Sequence, residues 1–331
     1  MLRNRNTHRS GWGLAAGIGA AALLGAAALY VRRETRRAER AHPPTGKFVE
    51  VDGVRLHFVD TGGGGPVLLV LHGNGAMIAD MEISGLVDAM ARRYRVIVFD
   101  RPGYGHSDRP RGRLWSAAAQ AALVDAALER LGIERALLLG HSWGTQVALR
   151  LALDHPQRVA GLVLVSGYYF PTLRADTFLL TPPAIPVIGD VMRHTVSPLL
   201  GRALAPKLIA RMFAPQPVPE RFAAEFPLGL SLRPGQLRAS AEETALMVSG
   251  AAGLEARYGE LRLPVVIVAG TDDRIATFEH HAARLHEAIP GSELRALGGR
   301  GHMLHHYESD EIVDAIDTVR ERAAEARIAA E

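Results

Sequence analysis

Five short runs of unbroken apolar character punctuate the middle of the chain: Val67–Leu71, Val96–Phe99, Ala136–Leu139, Leu162–Val165 and Val265–Ala269. A strand that is apolar at every position has both faces covered, as in parallel sheets. Helical stretches lie between these runs, among them Ser116–Leu131 and Trp143–Asp154. This alternation predicts an α/β fold, a mostly parallel central sheet with helices on both faces. Ahead of it, Phe48–Val51 and Val54–Val59 flank Asp52-Gly53, a hairpin signal. Behind it come a strand-like stretch, Glu293–Leu297, and a closing helix from about Ser309 to Ala329.

The rhythm breaks between residues 168 and 261, where prolines are frequent, helical runs separate them and no strand pattern occurs. The segment is too long for a loop inside a compact domain. It reads as an inserted helical lid, dividing an α/β core into residues 47–167 and 262–331.

Before the core, a short tail (1–11) leads into twenty uncharged residues from Trp12 to Val31, enough to cross a bilayer core as a helix. Trp12 and Tyr30 stand at its ends, where amphipathic rings favour the headgroup layer. The expectation is an N-terminal transmembrane anchor, with a cleaved signal peptide as its rival, followed by a polar linker over 32–46. Five arginines follow the span and three precede it, which leans towards a cytoplasmic catalytic domain.

Composition alters the picture at two points. The chain has no cysteine, which excludes thiol catalysis, disulfides and Cys-ligated zinc. Its net charge of +3 is unevenly placed: residues 1–41 carry eight arginines against two glutamates, leaving the remainder at −3. A nucleic-acid binder needs its basic stripe on the folded domain, so no nucleic-acid partner is expected.

The chemistry concentrates at strand ends. Gly140-His141-Ser142-Trp143-Gly144 follows the strand Ala136–Leu139 and opens a helix, the G-x-S-x-G nucleophile-elbow pattern. A serine hydroxyl needs a base to remove its proton. Val265–Ala269 runs out into Asp272-Asp273, and Glu293–Leu297 into Gly298-Gly299-Arg300-Gly301-His302. Carboxylate and imidazole thus fall at consecutive strand ends on the edge that carries Ser142. The roles expected are Ser142 as nucleophile, His302 as general base then acid, and Asp273 as the acid holding the imidazole tautomer. Asp272 is the alternative acid, and His305 and His306 are rival bases. An oxyanion hole requires two preorganised N–H donors; the backbones of Trp143 and Asn74 are expected to supply them, with Gly75 as alternative to Asn74.

Over residues 47–325 the chain resembles the α/β-hydrolase superfamily. The resemblance rests on His72-Gly73-Asn74-Gly75, Phe99-Asp100-Arg101-Pro102-Gly103-Tyr104-Gly105-His106-Ser107, the elbow, Gly270–Asp273 and Gly301-His302, in that order. It implies a lid after the sixth core strand. Dehalogenases and epoxide hydrolases of the superfamily carry Asp where this chain has Ser142, which leaves acyl transfer as the chemistry implied.

The expected function is a serine hydrolase cleaving carboxylic esters through an acyl-serine, with no metal or organic cofactor. An apolar lid and a bilayer anchor favour a lipophilic, monoacylglycerol-like substrate. Three alternatives stay open: a C–C bond hydrolase with the same triad, for which Arg174, Arg193, Arg211 and Arg233 are candidate carboxylate binders; a haloperoxidase-like perhydrolase; and a non-catalytic receptor on the same fold.

Overall fold

A computed structural model describes residues 8–172 and 180–329, with all side chains in that range except those of 8–14 and 16. Eight strands form one sheet: β1 Lys47–Val51, β2 Val54–Asp60, β3 Val67–Leu71, β4 Arg95–Phe99, β5 Ala136–His141, β6 Val159–Val165, β7 Val265–Gly270 and β8 Glu293–Leu297. Their order is β1-β2-β4-β3-β5-β6-β7-β8. The β1–β2 and β2–β4 pairings are antiparallel and the others parallel.

The unbroken apolar runs follow from burial of both sheet faces. Leu69, Leu71 and Leu138 turn to one core with helices α4 (Ala117–Arg130) and α5 (Gly144–Asp154). Leu68, Val70 and Leu139 turn to the other. That second core includes residues of α2 (Ile78–Ile83), α3 (Leu86–Ala91) and the closing helix, Ser309–Ile328. Ser116 caps α4, its hydroxyl accepting from the Ala119 N–H at 3.2 Å.

Register aligns the carboxyl ends of the parallel strands. Leu71 pairs with Gly140, His141 with Val165, Val165 with Val268, and Gly270 with Leu297. The loops leaving β3, β5, β7 and β8 therefore emerge along one edge.

Between β6 and β7 the described residues contain helices and no strand. The main helices are α6 (Ile188–His194), α7 (Val196–Phe213), α8 (Glu220–Glu225), α9 (Leu228–Ser231) and α10 (Pro234–Glu255). This cap is tied to the core by a buried ion pair. Arg101, in the loop after β4, donates from both terminal nitrogens to Glu243 of α10, at 2.5 and 3.0 Å. Arg101 also donates to the carbonyls of His72 and Gly73, at 2.8 and 2.9 Å. Glu243 accepts further from Gln120 and from the Tyr104 hydroxyl. One cluster thus fastens the cap to the loop after β3. His72 completes the fastening, accepting from the Arg101 N–H at Nε2, 3.0 Å away.

The N-terminal segment differs from expectation. Helix α1 runs over His8–Ala41, through most of the stretch expected as a linker. It continues because Ala38 packs with Met77 and Leu230, while Glu34 pairs with Arg202 and Glu39 with Arg233. Among the described residues no helix is long and apolar enough to cross a membrane. The expected span 12–31 begins outside the described side chains; its described part, from Gly17 on, is largely Ala and Gly and is not apolar enough for a bilayer crossing. A transmembrane helix is therefore not part of the fold described.

Two consequences can be measured. Removing one partner of a buried ion pair leaves a bare charge, at about 3–5 kcal/mol, whereas removing both leaves none. Glu243→Leu should therefore destabilise more than the double variant Arg101→Met/Glu243→Leu in urea unfolding, and equal or greater loss in the double variant would contradict this. Burial, reinforced by the Arg101 charge, pushes the His72 imidazole down from 6.5 to about 4. As pH falls between those values the unfolded chain takes up a proton that the folded chain refuses. Stability should drop by on the order of 3 kcal/mol across that window and level off below it. His72→Asn should flatten that slope in unfolding midpoints recorded over a pH series.

Candidate active site

The turn after β5 has little freedom. A Cβ on Gly144 would lie 2.2 Å from the Leu71 carbonyl oxygen, and one on Gly140 would lie 2.8 Å from the Thr145 Cα. Both glycines let strand and helix close to backbone contact, and the turn between them places Ser142 at φ +52°. Non-glycine residues seldom adopt that region. The Ser142 N–H donates to the Val165 carbonyl at 2.9 Å, which pins the turn to β6. The side chain is left half-buried at the sheet edge.

The loops after β7 and β8 meet it there. His302 Nε2 lies 3.0 Å from Ser142 Oγ, and His302 Nδ1 lies 2.7 Å from Asp273 Oδ2. The other oxygen of Asp273 accepts from the N–H groups of Ile275 and Ala276, at 2.7 and 2.9 Å. Those bonds fix the carboxylate from behind, and both His302 and Asp273 are buried. Hydroxyl, imidazole and carboxylate form one hydrogen-bonded line. Such a line can pass a proton from oxygen to nitrogen while the carboxylate stabilises the imidazolium that forms. Asp272 is exposed, its carboxylate accepting from the Thr271 hydroxyl.

The loop after β3 abuts the same point, since a Cβ on Gly73 would stand 3.0 Å from Ser142 Cβ. The Asn74 side chain is committed to the cap, donating to the Ser240 carbonyl and the Thr244 hydroxyl at 3.1 and 3.0 Å. Trp143 is the N-cap of α5, so its N–H belongs to the first turn, where no intrahelical acceptor exists. Its ring is covered by the Arg101 guanidinium at 4.7 Å.

Sequence reasoning missed a group behind His302. Asp80, on α2, sits between two imidazoles, with His305 Nε2 at 3.1 Å and His306 Nε2 at 3.0 Å. Burial alone would raise the Asp80 carboxyl, but the two imidazoles outweigh it and hold the group well below the usual carboxylate range. Burial pushes His305 down, towards the neutral form. His141, whose ring centroid is 4.4 Å from that of His305, is pushed well down by burial and by the neighbouring imidazoles. Neutral, it can donate from Nε2 to the His302 carbonyl, 3.2 Å away. The rival bases thus brace the segment that carries His302. Asp80, His305 and His306 could also offer a metal three ligand atoms within 4.8 Å of one another, although the direct imidazole–carboxylate bonds already satisfy them. The signal in the sequence was the His305-His306 pair; its partner lies 225 positions away in the chain, from His305 to Asp80.

Of the four candidate carboxylate-binding arginines, the three among the described residues are not gathered here. Arg193 is engaged with Asp190 and the Pro183 carbonyl. Arg233 bonds to Glu39 and to the carbonyls of Leu230 and Gly105. Arg211 is exposed on α7, and Arg174 lies outside the described residues.

Comparison with known proteins agrees with this architecture. The family model described as alpha/beta hydrolase fold matches residues 66–309. An uncharacterised protein of Mycobacterium tuberculosis is 31% identical over 304 residues, covering 86% of this chain and 84% of the relative. A 2-hydroxy-6-oxononadienedioate/2-hydroxy-6-oxononatrienedioate hydrolase of Paraburkholderia phymatum is 29% identical, over 78% of this chain and 89% of its own. Among solved structures, a meta-cleavage product hydrolase from Pseudomonas fluorescens superposes with a TM-score of 0.68 at 22% identity, over 83% of this chain and 98% of that one. This chain belongs to the alpha/beta hydrolase fold family.

Proposed function

We propose that the protein is a serine hydrolase of lipophilic carboxylic esters. The single observation that carries the reading is the line from Asp273 through His302 to Ser142, at 2.7 and 3.0 Å. In this reading His302 takes the Ser142 proton as the oxygen attacks the ester carbonyl, then returns it to the departing alcohol. The backbone N–H groups of Trp143 and Asn74 receive the oxyanion. Water, activated by the same imidazole, releases the acid from the acyl-serine. No step calls on a metal or organic cofactor.

Two features support a lipophilic substrate. Met303, next to His302, is buried with the cap residues Phe213 and Phe222 and with Ile83, and Ile209, Met212 and Phe226 pack against them. The cap thus meets the segment carrying His302 through apolar side chains, which fits an apolar substrate better than a charged one. Among the described residues, the candidate carboxylate-binding arginines of the cap are engaged elsewhere, as Arg193 and Arg233 are, or exposed, as Arg211 is.

Carbon–carbon bond hydrolysis by the same triad is the second reading, favoured by the named activity of the Paraburkholderia phymatum relative. Substrates of that kind carry carboxylates. If the ester reading holds, p-nitrophenyl esters of graded chain length should give kcat/KM rising with length, and vinylogous keto acids little turnover. The reverse ranking would favour carbon–carbon cleavage. A fluorophosphonate probe should label the wild type and leave Ser142→Ala unlabelled, with kcat for esters lowered by about six orders of magnitude. Labelling that persists in Ser142→Ala would remove the serine from its role.

A further inference from the structure

Among the described residues the exposed large apolar side chains concentrate in one region. Apart from Phe48, Leu114 and Ile328, every exposed large apolar side chain among the described residues lies on α1 or between residues 180 and 208 of the cap. A soluble surface scatters such residues singly, and a continuous field of them marks an interaction site.

The two parts of the field are joined. Helix α1 packs against α6, α7 and α9, and Tyr30 and Val31 line a groove with Pro198 and Leu199 of α7. From there the cap presents Ile185, Val187, Ile188, Val191, Leu200 and Leu204 outward. In the other direction, Gly17–Ala26 of α1 is exposed at every position and carries no charge, with Ile18, Leu23 and Leu24 among the side chains shown. A helix apolar all round is stable only when something apolar surrounds it.

Charge selects the occupant. Where α1 meets the body it exposes Arg32, Arg33, Arg36, Arg37 and Arg40, and α7 adds Lys207. The chain beyond residue 41 is net negative, whereas here five arginines stand against Glu34 and Glu39, which gives the apolar field a cationic border. A protein partner could meet the apolar surface; an apolar field bordered by arginines matches acyl chains beneath anionic headgroups.

We propose that the cap face formed by α6 and α7, continuous with α1, seats on the surface of an anionic lipid leaflet, with the apolar side chains entering the acyl boundary and the arginines at the phosphates. The cap itself is then a membrane contact, which holds the cap beside the leaflet. The inference does not depend on the role of Ser142, because its readout requires no turnover.

The absence of cysteine makes the test direct. Ile188→Cys and Leu200→Cys in the full chain, each carrying an environment-sensitive fluorophore, report from the cap; Leu114→Cys reports from the body. With vesicles of phosphatidylcholine and phosphatidylglycerol containing brominated acyl chains, both cap labels should lose fluorescence and the Leu114 label should keep it. Arg33→Gln and Arg36→Gln should each weaken partitioning about fivefold, the equivalent of ~1 kcal/mol per arginine at an anionic surface, and leave hydrolysis of a soluble ester unchanged. Cap labels that stay bright on protein-bearing vesicles would overturn the proposal. So would cross-linking between copies at positions 188 and 200 without quenching, which would assign the face to a second copy of the chain.

Discussion

Ser142 is held at φ +52°, a backbone state that costs an ordinary residue about 1–2 kcal/mol, and the geometry of the site depends on that turn. It persists because the surroundings leave no alternative. Gly140 and Gly144 admit backbone contacts too close for any side chain, and the Ser142 N–H is fixed to β6. The strain is local and the return is positional: the hydroxyl stands at the sheet edge where the loops after β3, β7 and β8 also emerge. Parallel strands in aligned register bring these loops together, though their residues are separated by up to 230 positions, from His72 to His302.

A second constraint acts from the cap. The loop that faces Ser142 is fastened by Arg101 through two of its carbonyls, and Arg101 is itself held by Glu243 of α10. A buried ion pair is poor evidence for stability, since desolvation offsets much of its attraction. Here its geometry links the position of the cap to the position of the loop after β3. The cap therefore helps to position the loop that abuts Ser142. Behind His302, the Asp80 carboxylate and the imidazoles of His141, His305 and His306 form a polar brace, which supports the segment that carries His302.

The parallel strands were legible in the chain because burial on both faces writes itself as unbroken apolar runs. Ser142, Asp273 and His302 were legible because each ends a strand-like run in an order that the edge of a parallel sheet brings together. Asp80 and Glu243 were not. Each sits in a helix where a carboxylate ordinarily faces solvent, and only the tertiary fold turns it inward to partners more than a hundred residues away. The N-terminal helix was legible as a helix but not in its extent. Arginine and glutamate between residues 32 and 41 read as a polar linker, whereas packing of Ala38 and ion pairs with the cap carry the helix through them.

The central claim, that Ser142 becomes acylated, is tested most directly by rapid acid quench during turnover of a slow ester, followed by peptide mapping in a mass spectrometer. The account predicts a transient mass increase equal to the acyl group, on the peptide containing Ser142 and absent from Ser142→Ala. Turnover with no adduct at that peptide, or with the acyl group on another residue, would contradict it.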